Sequence, residues 1–301
     1  MEGKVLNAKI TFKKKSLLPF VFVAPALLVH LVFVAVPSVN TLLYSLYDWN
    51  GIGSPVFVGL ANFKEIFTQD EVALGAFVNN LKWLAVFVTV PIILGLLAAV
   101  AISRIKRGQS FYRVSLFLPY VLSAAIAGKI WTTLYNPYFG INTLFEKLGL
   151  HSLAGLQWLG NSKSALYAVA FVDNWHFWGF IMVLFLGALQ QVDPMLYEAA
   201  RVEGANFKDE LIHIIIPGIM PTLTFVIITT TMCSFLTFDY VWVMTMGGPN
   251  HATEILSTWL YKNAFVMYRS GYASALCVLQ CAICVLLFFV QKLVKKMGWD
   301  V

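Results

Sequence analysis

Three residues within one apolar stretch have the types and the spacing to bind a polar ligand. Asp173, Phe177 and Phe180 follow one another at i, i+4 and i+7, so a helix would place them on one face. The carboxylate can accept hydrogen bonds from hydroxyl groups, and the rings can pack against apolar CH groups. Because a carboxylate inside an apolar helix usually faces the protein interior or a wet cavity, this face predicts a lining suited to a sugar. Without Asp173, the two rings would be ordinary core aromatics.

A second polar face follows with the same spacing further along the chain. Thr230, Ser234 and Thr237 recur at i, i+4 and i+7, and Cys233 lies beside Ser234. Hydroxyl groups in such helices can face a cavity, bond back to their own helix or join neighbouring helices. The residues alone leave these interpretations open. Asp239, nearer the outer end of this stretch, could cap a helix, gate a cavity or hold an interface.

The sequence contains no motif of catalysis or of nucleotide binding. G-x-x-x-x-G-K-[ST], HExxH and GxSxG do not occur in it, so any nucleotide hydrolysis must take place on a partner. Cys277, Cys281 and Cys284 share a helical face, where helix packing is the simpler interpretation and a metal site the alternative. His176 and His213 are not paired with further ligand residues. We expect a subunit with no catalytic residue, no metal site and no cofactor of its own.

The composition is that of an integral membrane protein. Of 301 residues, 59% are hydrophobic and 12% are charged, and the mean hydropathy is +0.75, whereas soluble domains carry about 25% charged residues. A spanning helix needs about 20 apolar residues. The sequence predicts an all-α fold, with one domain and six transmembrane helices at 17–44, 76–102, 114–134, 165–189, 214–244 and 272–294.

The first span is unusually long, and the third and fifth spans are interrupted. The first follows a lysine run but is far longer than the roughly 7–15 residue core of a signal peptide, so it is expected to stay as an uncleaved span. The third and fifth are interrupted by prolines or small polar residues. Such interruptions are tolerable where neighbouring helices and hydroxyl groups satisfy the freed backbone groups.

The distribution of positive charge predicts the orientation. Most of the 21 Lys and Arg residues lie on the side of the termini, which places both termini in the cytoplasm. The cytoplasmic segments would be 1–16, 295–301, the loop after the second span and the loop 190–217. This bias explains the net charge of +6 without nucleic acid. Five cations are expected on the outer side: Lys64, Lys147, Lys163, Lys262 and Arg269.

A polar segment, EAARVEGANFKDELIHIIIP at 198–217, stands out in the second of these loops. Asp193 and Pro194 before it predict the N-cap and first residue of a short helix. Gly204 could end that helix in the left-handed conformation, and Pro217 would redirect the chain into the fifth span. A solvated surface helix is the alternative interpretation. Small residues would let another backbone approach closely: Ala199, Ala200, Gly204 and Ala205.

The segment resembles the EAA motif of permease subunits in binding-protein-dependent ABC importers. The matching residues are Glu198, Ala199, Ala200, Glu203, Gly204, Ala205 and Pro217. Glutamate at 203, where aspartate is commoner, is a mild departure. Further stretches at 62–67, 113–123, 136–150, 174–200 and 247–276 resemble the carbohydrate branch, the permeases for maltose, other oligosaccharides and glycerol-3-phosphate, so that the resemblance covers nearly all of the chain.

The resemblance implies a type I ABC importer permease fold in a bacterial cytoplasmic membrane. Loop 190–217 would carry a coupling helix that docks into a groove on an ATPase subunit. Two ABC ATPase subunits would hold ATP and Mg, an extracytoplasmic sugar-binding protein would deliver the ligand, and a second homologous permease would complete the pathway, with a heterodimer expected.

The resemblance also implies residue roles along the pathway. In the maltose permease of this family the face corresponding to Asp173, Phe177 and Phe180 lines the sugar site, and the face that comprises Thr230, Cys233, Ser234 and Thr237 is implied to look into the same pathway. An oligosaccharide is the expected substrate. Glycerol-3-phosphate or another polyol is the alternative. Both faces lack Lys and Arg, so an anionic substrate such as glycerol-3-phosphate would have no cationic partner there, and this disfavours it.

Two other classes of protein are less compatible with the sequence. A secondary transporter would need an intramembrane proton relay, for which Asp173 and Asp239 are the available acids and no histidine partners them. A membrane enzyme would need a reactive constellation at one interface, and the sequence offers none.

Overall fold

The computed structural model describes residues 18–296 of the chain and the side chains of residues 22–292. The predicted cytoplasmic segment 1–16, with its five lysines, lies outside the described residues, as do residues 297–301.

The regular secondary structure of the described chain is helical apart from one short antiparallel hairpin, in which Tyr47 pairs with Phe57. Three π-helical turns, Leu31–Ala35, Leu211–Ile215 and Lys262–Val266, extend the helices beside them. In chain order the other elements are α1 (Leu18–His30), α2 (Val36–Tyr44), β1 (Tyr47–Asp48), β2 (Val56–Phe57), α3 (Ala61–Thr68), α4 (Glu71–Ser103), α5 (Gln109–Val121), α6 (Ala124–Leu134), α7 (Ile141–Lys147), α8 (His151–Ala154), α9 (Ala165–Leu189), α10 (Pro194–Val202), α11 (Phe207–Glu210), α12 (Ile216–Gly218), α13 (Met220–Leu236), α14 (Asp239–Met244), α15 (Leu256–Tyr261) and α16 (Ser270–Lys296).

Four helical segments in the described chain are long and apolar enough to cross a membrane. They are the run through α1 and α2, α4, α9 and α16. Two further pairs of helices pass the same test together but are bent, α5 with α6 and the segment Phe207–Gly218 with α13. Counting each bent pair as one span gives the predicted six, and the predicted all-α class is confirmed.

The predicted interruption of the third span is a break of 92° between α5 and α6. Leu122 and Ser123 have extended backbone there, and Ser123 Oγ accepts a hydrogen bond from the Ile126 amide at 3.3 Å. The serine thus caps α6 as a new helix. Pro119, which has no N–H to donate, lies in the last turn of α5.

The predicted interruption of the fifth span is confirmed, but the bounds predicted for this span, 214–244, were wrong. Its single long apolar helix is α13, because a bend of 76° at Ile219 separates α13 from the preceding segment Phe207–Gly218. A second break follows at Thr237, whose backbone is extended, and α14 begins two residues later. Apolar composition alone runs through both breaks and therefore merged three helices into one.

Helices α4 and α9 form the centre of the molecule, and α5 packs on α9 at a glycine. A Cβ atom on Gly179 would lie 2.2 Å from the Leu116 carbonyl oxygen, so only glycine permits this approach of the two backbones. Apolar residues of α4 and α9 continue the packing on both sides of this contact, with Trp83 and Phe87 toward the N-terminal end of α4 and Phe185 toward the C-terminal end of α9.

We expect Gly179→Ala to lower the stability of the bundle by about 1–3 kcal/mol, because the added methyl group would overlap the Leu116 carbonyl. Gly187→Ala is the matched control, since nothing lies within 4 Å of that Cβ position in the same helix. Alanine should there raise helix stability by up to about 1 kcal/mol. Thermal unfolding of the two variants in detergent measures the difference, and equal Tm values would contradict the described packing.

Candidate functional site

The segment predicted to leave the membrane after α9 forms the separate short helix α10. Asp193 Oδ1 accepts a hydrogen bond from the Met195 amide at 2.9 Å, and Pro194 is the first helical residue. The side chain thereby satisfies an amide that would otherwise lack a partner at the helix start. The predicted helix start is confirmed.

Helix α10 ends in a hydrogen-bonded turn around Gly204, which has a φ of +78°. The Ala205 amide donates to the Ala200 carbonyl at 2.9 Å, and the Gly204 amide donates to the Arg201 carbonyl at 3.2 Å. This pair of bonds is the Schellman arrangement, which satisfies carbonyl groups at a helix end. The predicted left-handed glycine is confirmed.

Most side chains of α10 are exposed and none of its residues is buried, while the half-buried Tyr197 packs against the apolar cluster of α4 and α9. A cavity of about 620 Å³, lined by Gln190, Tyr197 and Arg201 among others, lies between α10 and the C-terminal ends of α4 and α9. All six predicted residues in this part of the loop are exposed or half-buried: Glu198, Ala199, Ala200, Glu203, Gly204 and Ala205. Three apolar side chains of the helix are also exposed: Met195, Leu196 and Val202.

The chain returns to the bundle through α11 and α12. Asn206 and Asp209 begin α11 with a reciprocal capping box, in which each side chain accepts a hydrogen bond from the other residue's amide, at 3.2 Å and 3.1 Å. Pro217 is half-buried in α12, immediately before the bend at Ile219. The proline therefore lies where the predicted change of direction occurs.

Glu210 in α11 is the first buried residue after α10, and its carboxylate pairs with the Arg104 guanidinium at the end of α4. Arg104 Cζ also lies 5.1 Å from the centre of the Phe207 ring. Burial and the Glu210 carboxylate raise the pKa of the Tyr197 phenol, while Arg104 lowers it. Sequence reasoning missed this pair because its members are 106 positions apart.

The predicted intramembrane acid, Asp173, points into the protein. It is 7% exposed, and its Oδ2 accepts a hydrogen bond at 3.2 Å from Nε1 of Trp83 in α4. The tryptophan satisfies one oxygen of a carboxylate in an apolar setting. The structure therefore places Asp173 between α4 and α9 rather than toward lipid.

Phe177 and Phe180 extend the Asp173 face into an aromatic cluster. The Tyr120 ring stacks on Phe180 with centroids 4.7 Å apart and planes at 14°, and Phe177 lies 5.1 Å from the Phe87 ring. Aromatic planes of this kind pack against the CH faces of sugars. Sequence reasoning missed Tyr120, which lies at the end of α5 beside the break in the third span.

His176 on the neighbouring side of α9 holds that break. Its Nε2–H donates to the Leu122 carbonyl at 2.9 Å, and the ring lies 5.4 Å from Tyr120. The histidine thus satisfies a carbonyl that the end of α5 leaves free.

The hydroxyl groups of Thr230 and Ser234 in α13 bond back to their own helix. Both side chains are fully buried, and they donate to the Val226 carbonyl at 2.8 Å and the Thr231 carbonyl at 2.7 Å. Of the interpretations that the sequence leaves open, this one describes the hydroxyls in the structure. Their role in a pathway stays a prediction.

A narrow crevice nevertheless brings the two predicted faces together. Phe177 and Phe180 line one wall of it, and Thr230 and Phe225 line the other. The remaining polar residues lie toward the outer end of this region: Cys233 and Thr237, which are half-buried, and Asp239, which is exposed.

Metal-ligating residues do not gather in the described part of the chain. Between residues 18 and 296, no group of three or more His, Cys, Asp and Glu residues could hold a metal ion. Cys277, Cys281 and Cys284 are free thiols along α16.

Comparisons with known proteins agree on one family. The profile of the family described as "Binding-protein-dependent transport system inner membrane component" matches residues 16–297. The chain is 32% identical to the probable ABC transporter permease protein YurN of Bacillus subtilis, over 95% of this chain and 98% of that protein. It is 34% identical to the diacetylchitobiose uptake system permease protein NgcF of Streptomyces coelicolor, over 97% of this chain and 86% of that protein.

The fold is shared with a solved transporter. A chain in the crystal structure of a bacterial alginate ABC transporter, in complex with alginate pentasaccharide-bound periplasmic protein, superposes with a TM-score of 0.83. The match covers 94% of this chain and 96% of that chain at 19% identity. At this identity the likeness concerns the fold alone.

Removing the cap at Asp193 should loosen α10 without disturbing the bundle. For Asp193→Ala we expect a loss of about 1 kcal/mol of local helix stability, or about fivefold faster amide exchange in 194–202. Gln191→Ala, at an exposed neighbour, is the control. Hydrogen exchange with mass spectrometry resolves the peptide, and unchanged protection in Asp193→Ala would show that the cap does not hold the helix.

Proposed function

Since this chain belongs to the family of inner membrane components of binding-protein-dependent transport systems, we propose that it is the permease subunit of an ATP-driven importer of a saccharide. The observation that carries the proposal is α10, a capped helix with no buried residue, which packs on the bundle through Tyr197 and leaves Met195, Leu196 and Val202 exposed. It is a projecting surface for a partner rather than part of the core.

Helix α10 is the coupling helix in this proposal, and an ABC ATPase subunit is its partner. Exposed apolar side chains on a polar helix support docking, because a protein interface buries apolar residues at its centre and keeps charges at its rim. Glu198 and Arg201 would supply such charges. Two ATPase subunits would hold ATP and Mg, and this chain would be a non-catalytic subunit.

A second, related permease would complete the pathway, and we propose that the two form a heterodimer. A groove between α9 and α13, lined by Gly187, Gln191, Pro221 and Phe225 among others, is open in the single chain. The second permease would cover faces of this kind. The crevice between Phe180 and Thr230 would then lie near the shared pathway.

An extracytoplasmic sugar-binding protein would deliver the substrate to the outer segments 45–70, 135–164 and 245–269. The structure that shares this fold was solved with a periplasmic protein carrying a saccharide, which supports a partner of that type. Both termini would lie in the cytoplasm and the spans in a bacterial cytoplasmic membrane, as the positive charge bias predicts.

The substrate class proposed is a neutral saccharide, in particular an oligosaccharide. Asp173 would accept hydrogen bonds from sugar hydroxyls, and Tyr120 and Phe180 would pack against ring CH groups. None of the described residues lining the crevice beside Phe180 is Lys or Arg, so an anionic substrate would lack a cationic partner there. This favours a neutral sugar over glycerol-3-phosphate.

Transport would follow from movement of the bundle between outward and inward access. ATP-driven closure of the ATPase subunits would displace α10, and the breaks at Leu122 and Thr237 would let the surrounding helices rearrange. Catalysis in the chemical sense would occur on the ATPase subunits alone.

A charge on the docking surface should release the ATPase. Val202 is 90% exposed on α10, and we expect Val202→Asp to lower the amount of ATPase subunit that copurifies with the permease by about tenfold, since a desolvated interfacial anion is costly. Ile52→Asp is the matched control, because Ile52 is 88% exposed in the outer segment after β1. Equal recovery of the ATPase with both variants would refute docking through α10.

The aromatic stack should matter for sugar movement and not for assembly. We expect Phe180→Ala to lower uptake of the cognate saccharide by about tenfold, in keeping with one lost stacking contact of about 1.4 kcal/mol. Phe171→Ala, at an exposed phenylalanine of the same helix, should change uptake little. Radiolabelled uptake into proteoliposomes, with a panel that includes glycerol-3-phosphate, measures both variants. Undiminished uptake in Phe180→Ala would remove this residue from the pathway.

A further inference from the structure

An ion pair between the half-exposed Arg104 side chain and the buried Glu210 carboxylate connects the loop that carries α10 to the longest helix of the bundle. After α10 every residue up to Asp209 is exposed or half-buried, and Glu210 is the first that is buried. Its partner, Arg104, follows the last residue of α4, where a cation is favoured by the helix dipole. The two residues thus join α11 to the inner end of α4.

Helix α4 reaches from this pair to the outer side of the protein. Its 33 residues correspond to about 50 Å of helix. Near its outer end, Asn79 Nδ2 donates to the carbonyls of Ala252 and Glu254 at 3.1 Å and 2.9 Å. Asn80 Oδ1 accepts a hydrogen bond from the Leu256 amide at 2.9 Å. One helix therefore holds the coupling loop at one end and the outer segment 252–256 at the other.

Helix α10 also contacts the bundle directly. Its half-buried Tyr197 packs against the apolar cluster of α4 and α9, and a cavity of about 620 Å³ beside this contact lies between α10 and the inner ends of these helices. The loop can therefore act on the bundle through Tyr197, through the short link from α9 at Val192 and through the segment after α10. In that segment Glu210 forms an ion pair with Arg104 at the end of α4.

We propose that the Arg104–Glu210 pair is the joint through which movement of the coupling helix displaces α4 and, through Asn79 and Asn80, the outer segment 252–256. Both are positioning residues, and the inference rests on the proposed function in that an ATPase subunit is what moves α10.

The chemistry of the pair suits a joint that must survive movement. A buried carboxylate that lost its cation would be left unpaired, so Glu210 follows Arg104 when either is displaced. The Phe207 ring beside the guanidinium, from the same short helix as Glu210, adds a second contact to Arg104. The bond therefore transmits motion in both directions between α11 and α4.

The test uses the complete transporter, with its second permease and ATPase subunits, and with the four native cysteines replaced by alanine. Ala252→Cys supplies one outer thiol at a half-buried position. The readout is the rate at which a membrane-impermeant maleimide labels that thiol with and without ATP and vanadate. We expect trapped nucleotide to change the labelling rate by about threefold in this background.

Arg104→Glu and Glu210→Arg should each abolish that nucleotide-dependent change, and the double reversal should restore it. Arg107→Glu, which makes the same charge change at an exposed neighbour, should leave it intact. Glu210→Gln removes the charge with little change of shape, so it serves as the test variant if reversed charges impair assembly. It should also abolish the nucleotide-dependent change in labelling rate.

Two results would overturn the joint. The first is a full nucleotide-dependent change in labelling rate in the single variants, Glu210→Gln included. The second is a loss of that change that the double reversal does not recover. Either result would show that attraction between these two residues does not link the loop to α4. Copurification of the ATPase subunits is measured in parallel. If the ATPase stays bound while the joint fails, the proposed function stands; if it never binds, the proposed function itself fails.

Discussion

The structure depends on how it satisfies backbone carbonyl groups where membrane segments stop being helical. Hydrocarbon offers no water to such groups, so each needs a donor from the protein. At the end of α13 three carbonyls accept hydrogen bonds from side chains of other elements: Ser234 from Asn80, Phe235 from Gln280, and Thr237 from Ser257. His176 does the same for Leu122 after α5. These donors fasten α4, α9, α16 and α15 to the breaks, and thereby to each other.

The same constraint explains which parts of the fold the sequence predicts. Long apolar runs identify α4, α9 and α16 because each is one uninterrupted helix, and Pro119 and Ser123 indicate an interruption in the third span. The bend angles and the second break at Thr237 are not local properties. They depend on donors as remote as Asn80, which is 154 positions from Ser234, and a pattern read within one window contains no information about them.

In the candidate site, too, features formed by residues close in the sequence were predictable and features formed by distant residues were not. Helix α10 was predictable because the residues that determine its start and its end, Asp193 and Gly204, lie close to the helix in the sequence. The Arg104–Glu210 pair and the Tyr120 stack were not, because each joins elements that are distant in the sequence. Thr230 and Ser234 illustrate a further limit: their spacing is that of a polar face, but a hydroxyl in a helix can bond to its own backbone, and here both do.

Because α10 is short and largely exposed, it needs caps at both ends to stay ordered. A helix of nine residues is too short to be stable alone in water, and α10 packs on the bundle through the half-buried Tyr197 while most of its residues are exposed. Much of its order therefore comes from its ends, where the Asp193 cap and the turn at Gly204 satisfy groups that would otherwise be free. A partner that binds this helix then meets an ordered surface, so little conformational entropy is lost on docking. In the proposed function, this ordered helix would bind an ATPase subunit, and the Arg104–Glu210 pair would pass the resulting movement to α4.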